Sequence, residues 1–305
     1  MADAPSAWVW LRRRLKKLTL EMTSRLPRGI RDPMVLKRIH AETDTIPELV
    51  VKIAETPSEH EQASRLLFEA YVETGLVPQR GVPVRVTSFL MLPTTVRFVA
   101  LVEGEVVATL SLVQDSELGL PLETAYGDAV KGLRAKGGLI AEIGALAVKP
   151  AHRHHGLTML LYKAMWKTAS ELLGVMHLVA AVRPEIAMFY EAALRFVPLT
   201  EVSLRYPGIN SDSCALHLPL ETAHAEFGRA FAGKPPSAGF NPFTFFVETR
   251  HPQITLPGSS DELAALRQAH RRAAMRLAWL RPEVVMDMNS AEFEALEGAL
   301  AEKPV

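Results

Sequence analysis

The sequence predicts a mixed α/β (α+β) protein: a twisted sheet holding parallel and antiparallel strands, flanked by helices. Three stretches carry that expectation. Leu139–Val148 is apolar on both faces apart from Glu142, as a strand inside a sheet should be. It is followed by a loop, a helix over 157–173 and a second buried strand over 176–182, which together make a parallel crossover. Upstream, VRFVALVEGEVVATLSLVQD places two β-rich runs around Glu103-Gly104, the pattern of an antiparallel hairpin.

The remaining elements follow in chain order. Residues 1–40 hold ten Lys/Arg against Asp3, Glu21 and Asp32, a net charge of +7, and carry Trp8, Trp10, Leu11 and Leu15. Such a basic amphipathic arm reads either as a contact with an anionic membrane surface through residues 5–26 or as a solvated arm packed on the body. Residues 41–48 read as a linker and 49–54 as a short strand. Pro57 opens a helix in which Ala63, Leu66, Leu67, Ala70 and Tyr71 recur at helical spacing, and Gly75 ends it. Residues 76–95, with Pro78, Gly81, Pro83 and Pro93, predict an irregular loop, and 114–138 a polar, turn-rich stretch around Gly119-Leu120-Pro121. Gly174 is placed to cap the helix after the first buried strand. A helix over 185–195 carries Phe189-Tyr190, and 199–205 with 214–218 form a closing pair of strands. Beyond Leu220 comes a Pro- and Phe-rich loop through Phe246, then a helix over 261–280 and a short acidic helix over 291–301. No internal repeat is present. The division expected is an arm over 1–48, a core over 49–220 and a mostly helical extension over 221–305.

Bulk composition narrows the function. The 305 residues are net neutral, so no global basic field argues for nucleic acid. One cysteine, Cys214, excludes a disulfide framework within the chain and fits a cytoplasmic setting. No apolar run approaches the ~18 residues of a membrane span, and charges interrupt any signal-peptide core.

The chemistry concentrates in EIGALAVKPAHRHHGLT, residues 142–158. A strand–loop–helix of this form points unpartnered N–H groups and the positive helix end at an anion. Arg153 can pair with a phosphate, and Gly156 lets the backbone come close. Glu142, the only ionisable residue of its strand, reads as a base whose basicity burial raises, or as half of a structural ion pair. Gly144 either marks a bulge that frees an N–H for an oxyanion or serves packing. His152, His154 and His155 are adjacent in a loop and suit no tetrahedral metal site, so no metal is expected.

VKPAHRHHGLT resembles the V-x-P-x-x-R/Q-x-x-G-x-G/A donor loop of GNAT acyltransferases, with Thr158 in place of the usual small residue. MLPTTVRFVALVEGEVVATLSLVQDSELGLPLETAY, LRAKGGLIAEIGALAV and FYEAALRFVPL with YPGINSDSCALHLPL are similar to the long-chain N-acyl amino acid synthase family, over about residues 50–220. That family is a GNAT branch related to acyl-homoserine lactone synthases, whose strand often continues as Ser-Arg where this chain has Gly144-Ala145. The resemblance implies a fatty acyl group moved from acyl carrier protein to the α-amine of an amino acid. Acyl-CoA is the other donor, and no tightly bound cofactor is implied. It also implies a donor cradle of Lys149, Arg153, His154, His155, Gly156, Leu157 and Thr158, with Glu142 as base and Tyr190 as the acid for the departing thiolate. Tyr190 reads equally as a packed ring. Arg183 is a candidate for the acceptor carboxylate, or a partner of Glu185. Loops 76–95 and 114–121 and the Phe-rich 240–246 stretch are candidate walls of an acyl channel. Rival readings are an acyl-CoA-dependent N-acetyltransferase and a non-catalytic acyl-binding module of the same fold.

Overall fold

A computed structural model describes residues 22–23, 26–39, 41, 46–234 and 240–301. Seven strands form one sheet in the order β1-β2-β3-β4-β5-β7-β6: β1 (Val50–Ile53), β2 (Val96–Val102), β3 (Glu105–Gln114), β4 (Leu139–Val148), β5 (Val175–Val182), β6 (Val197–Tyr206) and β7 (Ser211–Pro219). Every pairing of these strands is antiparallel except β4 with β5, which the crossover helix joins. The expected hairpin turns at Glu103 (φ 51°) and Gly104 (φ 80°), the left-handed pair a tight two-residue turn requires.

The β4–β5 pairing fixes where the site lies. It runs from Leu139↔Val175 to Glu142↔Val179 and stops there. Beyond Glu142 the two strands part, β4 staying with β3 and β5 with β7. At the parting, β4 bulges: Ser111 faces Gly144 while Thr109 faces Ala147, and Ala145 is left-handed (φ 52°). The bulge expected at Gly144 therefore begins one residue later.

Helices cover both faces. We label them α1 (Arg28–Leu36), α2 (Pro57–Glu73), α3 (Ser88–Met91), α4 (Glu123–Arg134), α5 (Leu157–Lys167), α6 (Pro184–Ala193), α7 (Leu220–Phe231), α8 (Ser260–Leu280), α9 (Pro282–Met286) and α10 (Ser290–Ala301). α2 begins as its sequence predicts, with Thr56 accepting from the Glu59 N–H and proline in the first turn. α5 gives way to a π-helical turn over Thr168–Leu172 before Gly174 (φ 63°) ends the segment. α1 lies against α6, where Arg31 is buried and reaches Glu191 at 2.8 Å. The tryptophan-bearing part of the arm, residues 1–21, lies outside the described residues.

Three elements depart from the sequence reading. Residues 123–134 form α4 where a turn-rich stretch was expected. Its stability is tertiary: Arg134 donates to Asp115 at 2.7 Å and Glu123 at 2.8 Å, and the Tyr126 hydroxyl accepts from the Leu204 N–H at 3.0 Å. α3 interrupts the loop 76–95, capped by Thr87. α7 follows β7 directly, with Leu220, Ala223, Phe227 and Phe231 buried along one side. Phe227 packs 5.3 Å from Trp166 and 5.7 Å from Phe246, so Phe245 and Phe246 belong to the core on the α5 face.

Among the described residues, no helix is long and apolar enough to cross a membrane. No cluster of three or more His, Cys, Asp or Glu forms a metal site among them.

Candidate active site

The parting of β4 and β5 opens into a cavity of about 260 Å³. Glu142 and Gly144 line it from β4, Tyr71 from α2, Arg85, Thr87 and Phe89 from the 76–95 loop and α3, Pro121 and Thr124 from the start of α4, and Tyr206 with Gly208 from the β6–β7 turn. A larger cleft, about 1070 Å³, lies between the end of α5 and residues 246–258. The carboxylates on its lining, Glu171 and Glu248, are exposed, whereas the smaller cavity holds the buried Glu142.

Glu142 is 4% exposed and accepts a hydrogen bond from the Leu122 N–H at 2.6 Å. Burial pushes its carboxyl up to about 8; the Leu122 N–H pulls the other way, and the charge of Glu123 adds to the rise. No cation pairs with it within 4 Å among the described residues, so the ion-pair reading fails. A carboxyl titrating near neutrality in a mostly apolar cavity has the basicity a proton acceptor needs.

The cavity also holds side chains the sequence did not single out. Arg85 stacks over the Tyr71 ring at 4.8 Å, and burial lowers its pKa. Among the described residues it makes no ion pair, which leaves a half-dry guanidinium facing the cavity. Burial raises the pKa of Tyr71, and that of Tyr206 lies well above its ordinary value from burial and then the Glu142 charge. Thr124, whose hydroxyl donates to the Pro121 carbonyl at 2.8 Å, is near enough to Tyr206 to oppose that rise. Tyr71 was visible only as an apolar position of a helix. Arg85 sits in a loop without periodicity, and Tyr206 closes an outer strand.

The other expected site residues are distributed differently. The Tyr190 hydroxyl lies 2.6 Å from that of Tyr162 in the core and does not line the cavity; burial pushes its pKa up to about 12. Tyr71 is close enough to Tyr190 to add to that rise. Arg183 pairs with Glu185 at 3.3 Å, at the start of α6. Arg153 holds Glu73 at 2.8 Å and Lys149 pairs with Glu105. His154 and His155 are exposed, and His154 is left-handed (φ 69°). Gly156 (φ 72°) precedes α5, Leu157 is buried and Thr158 is half-buried, and no side chain caps this helix start. Its first N–H groups therefore remain available to an anion. Of the candidate channel walls, loops 76–95 and 114–121 contribute to the cavity and the Phe-rich stretch does not.

Known proteins agree with this architecture. The family model for the N-acyl amino acid synthase FeeM matches residues 62–219, more than half of the chain. The fold is similar to the structure of FeeM, an N-acyl amino acid synthase from uncultured soil microbes. The identity is 21%, 59% of this chain and 94% of that one are covered, and the TM-score is 0.52. The acyl-homoserine lactone synthase LasI aligns at 14% identity over 57% of this chain and 90% of its own, with a TM-score of 0.45. A GNAT-family acetyltransferase from Streptococcus pneumoniae aligns at 14% identity over 56% and 99%, with a TM-score of 0.40. The fold likeness rests on the first of these. No curated protein matches the chain. The chain belongs to the N-acyl amino acid synthase family and is an N-acyltransferase.

Proposed function

We propose that this member of the N-acyl amino acid synthase family moves a long-chain fatty acyl group from acyl carrier protein to the α-amine of an amino acid. The observation that carries the reading is Glu142, buried and elevated in basicity, in the cavity where β4 and β5 part. An amino acid's amine is mostly protonated at neutral pH, and only the free amine attacks a thioester. Glu142 takes the proton, directly or through one water. The amine nitrogen then bonds to the thioester carbon, the C–S bond breaks, the thiolate leaves with a proton from a phenol, and the surplus proton on the new amide nitrogen restores that phenol. Backbone N–H groups at the Gly144–Ala145 bulge are assigned to the oxyanion.

The phenol is Tyr190 by family resemblance. Tyr71, on the cavity wall and near Tyr190, is the second candidate. Arg85 takes over the part expected of Arg183, because it faces the cavity without a carboxylate of its own while Arg183 has Glu185. A two-pronged bond from Arg85 to the acceptor carboxylate would orient the amine. The donor's phosphate is assigned to the start of α5, with Arg153, Lys149, His154, His155 and Thr158 around it.

The test incubates the purified chain with a lauroyl thioester of acyl carrier protein, or with lauroyl-CoA, and a mixture of amino acids, followed by mass spectrometry. An N-lauroyl amino acid is the expected product. Turnover with acetyl-CoA on amines but none with long acyl donors would replace this reading by an N-acetyltransferase. Soluble protein inert with every donor would leave an acyl-binding module.

A further inference from the structure

Two strands over from β4, Arg97 of β2 is a charge without a counter-charge; its cross-strand partner Ser111 lines the Glu142 cavity. It is 2% exposed, and its Nη1 donates to the His60 carbonyl and to Ser64 Oγ, each at 2.8 Å. Its Nη2 is buried with no hydrogen-bond partner. No carboxylate lies within 4.0 Å of it among the described residues; Glu61, next to His60 in the chain, is held by Arg65 at 2.7 Å and Arg276 at 2.6 Å. Burial lowers the Arg97 pKa to about 10, so it still carries its charge at neutral pH. An unpaired buried cation is costly even after relaxation, so the fold should supply a partner.

The place for that partner is present. Arg97 lines a cavity of about 10 Å³ with His60, Thr95, Arg267 and His270, and none of its lining residues is acidic. A second donor in this cluster, Arg267 Nε, is also buried and unpartnered, its Nη2 reaching Gln114 at 3.3 Å. His60 is 1% exposed, and its ring meets that of His270 edge-on at 4.7 Å. Neither ring nitrogen of His60 completes a hydrogen bond of normal geometry, although the Ala54 backbone is near enough to act on it. His270 points Nε2 at the Leu90 carbonyl, 3.1 Å away, and so donates there. The cavity thus gathers N–H donors and positive charge, with room for about one water-sized particle.

We propose that this cavity is a site for one small monovalent anion, chloride in ordinary salt, which serves as counter-ion to Arg97 and fastens helix α8 to β2 and α2. A water molecule would satisfy one donor but leave the charge uncompensated. Three elements meet at this cavity through polar groups: β2 gives Arg97, α2 gives His60, and α8 gives Arg267 and His270. The anion is therefore structural and independent of the acyl-transfer reading.

The test is thermal unfolding of the full chain at constant ionic strength, with gluconate, too bulky for the cavity, exchanged for chloride. The expected result is a saturating rise in Tm of about 2 °C or more, because a ligand that binds only the folded state stabilises it. Arg97→Met should abolish the dependence. A Tm indifferent to the exchange, or an equal chloride dependence in Arg97→Met, overturns the proposal. Should Arg97→Met fail to fold, crystals of the natural chain grown in bromide decide. An anomalous peak in contact with Arg97 Nη2 is expected, and its absence overturns the site.

Discussion

Replacing Glu142 by Gln separates chemistry from folding because the two should move in opposite directions. The folded carboxyl titrates near 8 against 4.5 for an ordinary one, so between those values the folded chain binds a proton that the unfolded chain releases. Stability from this group is complete below about pH 4.5 and is lost as pH rises through 8. The full gap corresponds to about 4–5 kcal/mol, an upper figure for a buried group. Gln keeps the neutral shape and can accept the Leu122 N–H through its amide oxygen. The variant should therefore match the natural chain near pH 4.5 and exceed it increasingly up to pH 9, where its Tm is higher by roughly 5–15 °C. Acyl transfer should meanwhile fall by about 10²–10⁴-fold. Thermal scans across pH, together with product quantified by mass spectrometry, measure both. A stability gap that does not change with pH would refute the elevated basicity. Turnover within a few-fold of the natural chain would refute the base assignment.

With hydroxylamine as acceptor, whose nitrogen is already unprotonated at neutral pH, the rate should climb with pH to a plateau above about 8, the value at which Glu142 loses its proton; a flat profile would remove Glu142 from the rate. Arg85→Met should raise KM for an amino acid about 10–100-fold while leaving KM for the matching amino acid amide little changed, the scale of one charged hydrogen bond; equal effects on both would show that Arg85 does not hold the carboxylate. Tyr190→Phe and Tyr71→Phe should differ, since only the phenol that protonates the thiolate lowers turnover by about 10²-fold or more; if neither does, the proton comes from solvent. Gly156→Val places a β-branched residue at φ 72° and should cost about 1–3 kcal/mol in urea unfolding and raise KM for the thioester; an unchanged midpoint would show that the turn adapts without strain.

The strands were legible because each carries its own signal. A buried run interrupted by one carboxylate, Leu139–Val148, and a hairpin pair around Glu103-Gly104 are set by local hydrophobic pattern and turn chemistry. The parallel pairing of β4 with β5 followed from the crossover, whereas the placing of β7 between β5 and β6 is set by tertiary pairing. Helix α4 was not legible, because Gly127 and Gly132 weaken its propensity and its support comes from Asp115 and Leu204, outside the helix. Helix α7 was more accessible: Leu220, Ala223, Phe227 and Phe231 recur at helical spacing in the sequence itself.

Glu142 could be singled out from sequence alone because a lone ionisable residue in an apolar strand is costly wherever that strand is buried. What the carboxylate faces was decided only in three dimensions. Tyr71, Arg85 and Tyr206 come from three separate elements and converge only because β4 and β5 part after Glu142. Tyr190, adjacent by motif, turns its hydroxyl to Tyr162 instead. Local sequence pattern sets which strand is buried and which residue in it is out of place. Side-chain partners separated by tens of residues are set by packing, which no local pattern encodes.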